Sequence, residues 1–383
     1  MQKMYNLPKG ITLRKDGRYQ ASYYYNGTRK YLYDFDLNAL ETKLRNIRYE
    51  IDHGIFTKPE KIRLDDWFET WINEYKVFDL KKGTLENYKR NYRLYISPHL
   101  GNCYVKDIRA EHVQKFYNDL MRDGYAYGVI NLCAGILSGM FTQLMRNDII
   151  IKNPVKLANI PKKPRKTERR VLSFQEQELF LKYSADSPYH DFYVLALATG
   201  LRIGELTSLT WKDIDLKEEF LTVTGTLKYF TDTGFYKDTP KSNAGNRIVP
   251  LLPSICSMLR KIKREQNKTR LYMGPKWQPI AGLEHLVFTN KHGEPLKKRT
   301  IAYDIDSITN RINQSEENIP YFEKFSPHTL RHTFATRALE NGIPPKVVQE
   351  ILGHSSITMT LDLYTHVLPK TKSSEIMKIA NLF

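Results

Sequence analysis

Between Ser326 and Val367 the chain reads SPHTLRHTFATRALENGIPPKVVQEILGHSSITMTLDLYTHV, four histidines, two arginines and one tyrosine in a helix-like stretch. If HTLRHTFATRALENG is a helix ending at Gly342, His328 and Arg331 share a face and His332 lies one turn beyond His328. The segment IPP can open a second helix with Val347, Val348, Ile351 and Leu352 on its buried side and Gly353 at its end, and His354 follows at once. Ser355 or Ser356 can cap a third helix, on which Ile357, Leu361 and Tyr364 align. By that spacing alone Tyr364 is a core residue rather than a nucleophile. His328 and His332 have the spacing of zinc ligands, but Thr329 stands where a metalloprotease needs glutamate and Arg331 repels a cation, so no metal is expected. The two helices around ENGIPPKVVQEILGHSSITMT also suit a helix-turn-helix, which makes a regulator without catalysis the rival reading.

Upstream, LALATGLRIGELTSLTWKDIDL sets Arg202 and Glu205 in apolar surroundings. A buried guanidinium requires an anion, here either Glu205 or the phosphate of a ligand. The segment YKDTPKSNAGNRIVPL has the form of a β-hairpin, with Lys241 and Ser242 before an Asn-Ala-Gly turn; a lone hairpin lysine carries no assignment by itself. No GxxxxGK[ST] loop and no Asp/Glu cluster suited to Mg²⁺ is present, so neither ATP nor a metal cofactor is implied.

These groups sit in a chain of 383 residues, long enough for two or three domains. Lys plus Arg outnumber Asp plus Glu by 59 to 42, a net charge of +17, which favours a polyanionic partner through counterion release. Nucleic acid leads and an anionic membrane is second. No apolar run near the ~20 residues of a spanning helix is expected, and MQKMYNLPKG lacks a signal-peptide core, which points to the cytoplasm. Cys103, Cys133 and Cys256 are far apart and read as small buried hydrophobes.

Residues 1–57 read as three strands and a helix. Asn26-Gly27 is a hairpin turn, Tyr19, Ala21, Tyr23 and Tyr25 share a face, and Leu37, Leu40, Leu44, Ile47 and Ile51 form a helical stripe. Arg18, Arg29 and Lys30 are either groove-facing charges or, equally, a solvated edge or an oligomer contact. Residues 62–150 read as a helical bundle, with Trp67, Trp71, Tyr75 and Val113, Phe116, Tyr117, Leu120 as core stripes and Lys81, Lys82, Lys89, Arg90 and Arg93 on basic faces. Residues 151–171, with Lys162, Lys163, Arg165 and Lys166, read as an extended basic linker, and 172–383 as a mainly helical unit with strands at DIDLKEEFLTVTGTLKY and NRIVPL and a C-terminal tail.

The motifs ATGLRIGELTSLTWKDID, TPKSNAGNRIVPL, SPHTLRHTFATRAL and LGHSSITMTLDLYTHV occur in the order and approximate spacing of the tyrosine recombinases, the phage-integrase family, which this chain resembles from about Leu172 to Val367. The bundle, with ISPHLGNCYVKDIRAEHVQKFY, resembles that family's SAM-like core-binding domain, and the N-terminal sheet its arm-binding domain. The implied fold is multidomain and mainly α with small β elements, ending in an α+β catalytic domain. The resemblance implies Arg202, Lys241, His328, Arg331, His354 and the nucleophile Tyr364 as catalytic residues, with Glu205 supporting Arg202; His332 and His366 receive no role. It also implies double-stranded DNA with core and arm sites as substrate, a homotetramer on DNA, an excision factor and a host DNA-bending protein. The residues after Val367, with Ile376, Met377, Ile379, Leu382 and Phe383 apolar, read as a tail that docks either on a neighbouring protomer or back on its own domain. No cofactor is implied, because a phosphotyrosine bond retains the energy of the phosphodiester it replaces. A chromosome-dimer resolvase, a type IB topoisomerase and the non-catalytic regulator are the alternatives.

Overall fold

The computed structural model describes residues 7–8, 10–25, 27–52, 61–161, 169–230, 234–238, 246–315 and 320–364, except the side chains of Glu50, Leu363 and Tyr364. It divides into two compact units, Met1–Lys166 and Thr167–Phe383.

The first unit opens with an antiparallel sheet of order β1-β2-β3, built from Ile11–Leu13, Tyr19–Tyr25 and Thr28–Asp34, followed by α1, Leu37–Asp52. Ile11 and Ala21 of the sheet bury against Leu40 and Leu44 of α1. The opposite face is open, and its exposed tyrosines lie under guanidiniums: Arg29 over Tyr31 at 5.5 Å, and Arg14 and Arg18 over Tyr33 at 5.2 and 5.6 Å. The register pairs Tyr24 with Arg29 and Tyr23 with Lys30. Successive strand residues point to opposite faces, so Arg29 and Lys30 do not share a surface, contrary to the grouping expected from sequence. Arg18 is also engaged by Asp16 at 2.6 Å.

The remainder of this unit is helical: α2 (Leu64–Thr70), which runs on through a π-helical segment Trp71–Lys76, α3 (Lys82–Asn91), which continues as π-helical Tyr92–Gly101, α4 (Ala110–Arg122) and α5 (Tyr127–Arg146). Trp67, Trp71, Tyr92, Phe116 and Tyr117 are buried here, the aromatic stripes serving as core. Against expectation, α5 is long and apolar enough to cross a membrane, twenty residues with a mean hydropathy of 1.4. Its Ile130, Cys133, Ile136, Leu137, Met140, Phe141 and Leu144 are all buried within the bundle. The linker reading also changes at its start: Asn153 caps a 3-10 turn, Pro154–Leu157, and Val155 joins the helical core. Cys133 and Cys256 are buried, whereas Cys103 is exposed.

In the second unit α6 (Phe174–Ser184) begins at a reciprocal cap, Ser173 accepting from the Glu176 amide and Glu176 from that of Ser173. There follow α7 (His190–Thr199), the one-turn α8 (Ile203–Leu206), β4 (Ile214–Asp215), β5 (Phe220–Val223), β6 (Thr226–Phe230), β7 (Gly234–Asp238), β8 (Arg247–Pro250), α9 (Pro253–Met273), α10 (Lys298–Asn313), α11 (Pro327–Glu340), α12 (Pro345–Leu352) and α13 (Ile357–Tyr364). Strands β4, β5 and β8 form one sheet, and β6 pairs with β7 in another. This corrects the hairpin expected at YKDTPKSNAGNRIVPL: among the described residues its two flanks, β7 and β8, pair with different partners and not with each other. One core gathers Phe180, Phe192, Leu195, Leu221, Val249, Ile305 and Leu330. A smaller cluster of Ala335, Ala338, Leu339, Val348 and Leu352 joins α11 to α12. Val347, expected inside, is exposed, as are Ile357 and Leu361 of α13.

Gly200 ends α7 in the left-handed conformation, φ +62°, and an added Cβ would lie 2.3 Å from Phe334 Cδ1 and 2.8 Å from Leu352 Cδ2. Gly200→Ala is therefore expected to lower unfolding free energy by about 2–4 kcal/mol, from backbone strain plus overpacking, measurable by urea denaturation.

Candidate active site

The one-turn helix α8 brings Arg202 and Glu205 into register. Glu205 Oε2 accepts from the Arg202 amide at 2.8 Å and Glu205 Oε1 from Arg202 Nη1 at 2.7 Å. The same carboxylate receives a second guanidinium from β8: Arg247 Nη1 donates to Oε1 at 3.1 Å and Nη2 to Oε2 at 2.8 Å. Glu205 is only 7% exposed and Arg247 8%. Burial by itself would raise the Glu205 pKa, but the Arg247 hydrogen bonds and the charges of Arg247 and Arg202 outweigh it and bring it down to about 2.

A third guanidinium comes from α11. Arg331, 2% exposed, donates through Nη1 to Gly200 O at 2.9 Å and through Nη2 to Leu352 O at 2.7 Å. Arg202 Nη2 donates to Gly353 O at 3.1 Å, and Arg247 Nε to Ile351 O. The last carbonyls of α12, which lack intrahelical donors, are thus taken one each by Arg247, Arg331 and Arg202. Burial and then the neighbouring Arg202 lower the Arg331 pKa, only partly offset by Glu205. A guanidinium still stays charged at neutral pH.

His354 follows the left-handed Gly353 that ends α12. It is buried, its Nδ1 is 2.9 Å from Thr360 Oγ1 of α13, and Gln349 Nε2 donates to its carbonyl at 3.0 Å. His328 and His332 meet edge to face with centroids 4.8 Å apart. All three imidazoles are held neutral. Burial leads in each case, followed by Arg331 and Arg202 for His354, down to about 3, and by His328 for His332, down to about 4. The pKa of His328, at the exposed start of α11, is lowered by desolvation and then by Arg331, Arg202 and Arg169.

The structure therefore brings together Arg202, Glu205, Arg331 and His354, with His328 close enough to feel both arginines. Tyr364 is the last residue of α13, one turn beyond Thr360 on the same helical row; its side chain is outside the described set. Lys241, His366, Lys162, Lys163, Arg165, Lys166 and the tail lie outside the described residues. In the first unit Lys89 is half-buried, while Arg90 and Arg93 are exposed.

Three contributors escaped the sequence reading. Arg247 had a visible signal: in RIVP the inward positions are Arg247 and Val249 while Ile248 is exposed, so a charge occupies an apolar slot. Arg169 had none, being one charge in a basic run, yet it acts on His328, His332 and His354. Thr360 was hidden by the apolar stripe beside it.

A cluster with more guanidinium than carboxylate is suited to an anionic ligand, and likeness to known proteins gives that ligand a class. Residues 170–371 match the model of the phage integrase family and residues 63–121 that of the phage integrase N-terminal SAM-like domain; the chain belongs to the phage integrase family, the tyrosine recombinases. It is 30% identical over 370 residues to a tyrosine recombinase XerC-like protein of Caldanaerobacter subterraneus subsp. tengcongensis, covering 93% of this chain and 92% of the relative. To the transposase from transposon Tn916 of Enterococcus faecalis it is 25% identical, over 97% and 94% of the two chains. The structure superposes on the Tn1549 transposon integrase bound to transposon right end DNA with a TM-score of 0.70 and 26% identity, over 83% of this chain and 100% of that one. A lambda integrase tetramer bound to a Holliday junction shares the fold, with a TM-score of 0.58 and 22% identity over 94% and 96%.

Both the histidines and Glu205 have folded-state pKa values below their unfolded ones, so the unfolded chain binds more protons in acid and stability falls as pH falls. The histidine contribution is complete above 6.5 and is lost as pH drops through about 4 for His332 and about 3 for His354; that of Glu205 is lost from 4.5 down through about 2. Urea midpoints should fall between about pH 7 and about pH 5, and His332→Gln should shrink that difference.

Proposed function

We propose that this protein is a site-specific integrase that cuts and rejoins double-stranded DNA through a covalent 3′-phosphotyrosine, integrating and excising a mobile element. The observation that carries the reading is the excess of guanidinium over carboxylate at one point: Arg202, Arg247 and Arg331 converge with Glu205 as the carboxylate between them. Two charges are left for a phosphate, and planar forks bind its non-bridging oxygens better than ammonium groups would.

In this reaction Tyr364 Oη attacks the scissile phosphorus and gives up its proton, for which neutral His328 is the acceptor. Arg202 and Arg331 stabilise the negative charge that builds on the non-bridging oxygens. His354, its Nδ1 turned to Thr360, offers Nε2 to the phosphate. Lys241 protonates the departing 5′ oxygen. The P–O5′ bond breaks as the P–O tyrosine bond forms, and the reverse step with a new 5′ hydroxyl reseals the strand without ATP, the cleavage and ligation chemistry of a type IB topoisomerase.

Residues 1–57 are assigned to arm-site DNA, 62–150 to core-site DNA, 151–171 to the backbone between them and 172–383 to cleavage. Candidate phosphate contacts are Arg18, Arg29, Lys89, Arg90, Arg93, Lys162, Lys163, Arg165 and Lys166; Lys30, on the other sheet face from Arg29, is expected to contribute less. A homotetramer pairs two duplexes on the nucleoid in the cytoplasm, with an excision factor and a host DNA-bending protein setting direction. The transposon relative, matched over 97% of this chain, and the open, Arg- and Tyr-bearing sheet favour an integrase over a dimer resolvase.

A nicked suicide substrate should trap a covalent adduct with the native chain and none with Tyr364→Phe, while Arg331→Lys should cut the cleavage rate by about 10²-fold or more without loss of DNA binding. An undiminished adduct in Tyr364→Phe would refute the nucleophile. In salt titrations of arm-site binding, Arg29→Ala should lower the log–log slope by about one and Lys30→Ala by less.

A further inference from the structure

We infer that Arg247 is a positioning residue for strand cleavage: it serves as the counter-charge of Glu205, leaving the Arg202 guanidinium to the scissile phosphate. The inference rests on the recombinase reading above and extends it to a residue outside the proposed catalytic set.

Arg247 cannot be a phosphate contact itself. Its side chain is 6% exposed, and its guanidinium is spent on both oxygens of Glu205 and on the Ile351 carbonyl. Arg202 is different: its side chain is 37% exposed, and only Nη1 faces the carboxylate while Nη2 rests on Gly353 O. Two cations therefore compete for one carboxylate, and the buried one holds both of its oxygens. Remove that fork and Glu205, still buried, has Arg202 as its remaining hydrogen-bonded cation, Arg331 being committed to the Gly200 and Leu352 carbonyls. The attraction then draws Arg202 inward, and its charge neutralises Glu205 instead of phosphate. The Ile351 bond adds a second constraint, because it fixes β8 to the same helix end that carries Gly353 and His354. Arg247 thus sets both the charge balance and the relative placement of α8 and α12.

Arg247→Lys is the variant of choice, since it retains the buried positive charge and with it the fold, but cannot span two carboxylate oxygens and a carbonyl. Adduct formation is measured in a single turnover on two suicide substrates, one with a normal phosphodiester and one with a neutral methylphosphonate at the cleavage point, which lacks the charge that Arg202 serves. Half-site binding and thermal melting are measured alongside. The expected result is unchanged binding, a phosphodiester rate lowered on the order of tenfold, and a much smaller loss on methylphosphonate, so that the ratio of the methylphosphonate rate to the phosphodiester rate rises as it should for Arg202→Lys. A merely structural residue lowers the active fraction and both rates together. An unchanged ratio, or an unchanged phosphodiester rate, overturns the inference. A native protein that forms no adduct at all overturns the recombinase reading instead.

Discussion

Everything in the catalytic unit is arranged around the C-terminal end of α12. A helix end leaves carbonyls without donors and carries a partial negative charge. Here Ile351, Leu352 and Gly353 receive them from Arg247, Arg331 and Arg202, side chains drawn from β8, α11 and the start of α8. Each bond is charge-assisted, and each crosses a large sequence separation. The three donors are satisfied together only when the strand, α11 and the single-turn helix have all docked on this helix end. The left-handed Gly353 then turns the chain so that His354 enters the same space.

The arrangement is costly to bury and is left deliberately unbalanced. Three guanidiniums face one carboxylate, and burial, reinforced by the nearby positive charges, lowers the pKa of His328, His332 and His354. Histidines that stay neutral near pH 7 keep a lone pair for accepting a proton. Arginines that lack a full complement of anions keep a standing affinity for phosphate. Burial leads in the first property and the excess of positive charge adds to it, while the second rests on that excess alone, so a substitution that supplied another carboxylate would weaken both.

Much of this plan is written locally. The caps, the left-handed glycines and the helical stripes of Trp67, Trp71 and Phe116 are set by neighbours in sequence, and they read correctly for that reason. The pairing of β7 and β8 did not, because their partners, β6 and β5, are chosen by the packed sheets and not by the Asn-Ala-Gly between them. The apolar row Ile357 and Leu361 misled for a related reason: the short helix α13 buries polar Thr360 against His354 and leaves that row outside. At the site itself, residue types announced Arg202, Glu205 and Arg331. Arg247 required knowing that the inward face of β8 meets a carboxylate instead of a core.

The placement of α13 follows from the same logic. Among its described side chains Thr360 is the fully buried one, and Ile357, Met359 and Leu361 face outward. An apolar helix held mainly by packing would keep its position whatever the state of the site. This one also carries a hydrogen bond between Thr360 and His354, the residue after the Gly353 carbonyl that Arg202 holds. Because Tyr364 lies one turn beyond Thr360, the helix that carries the proposed nucleophile is tied to the same helix end on which the arginines converge. The hydrophobic core stabilises the unit as a whole, while Arg202, Arg331, Arg247 and His354 are placed by polar contacts that converge on one helix end.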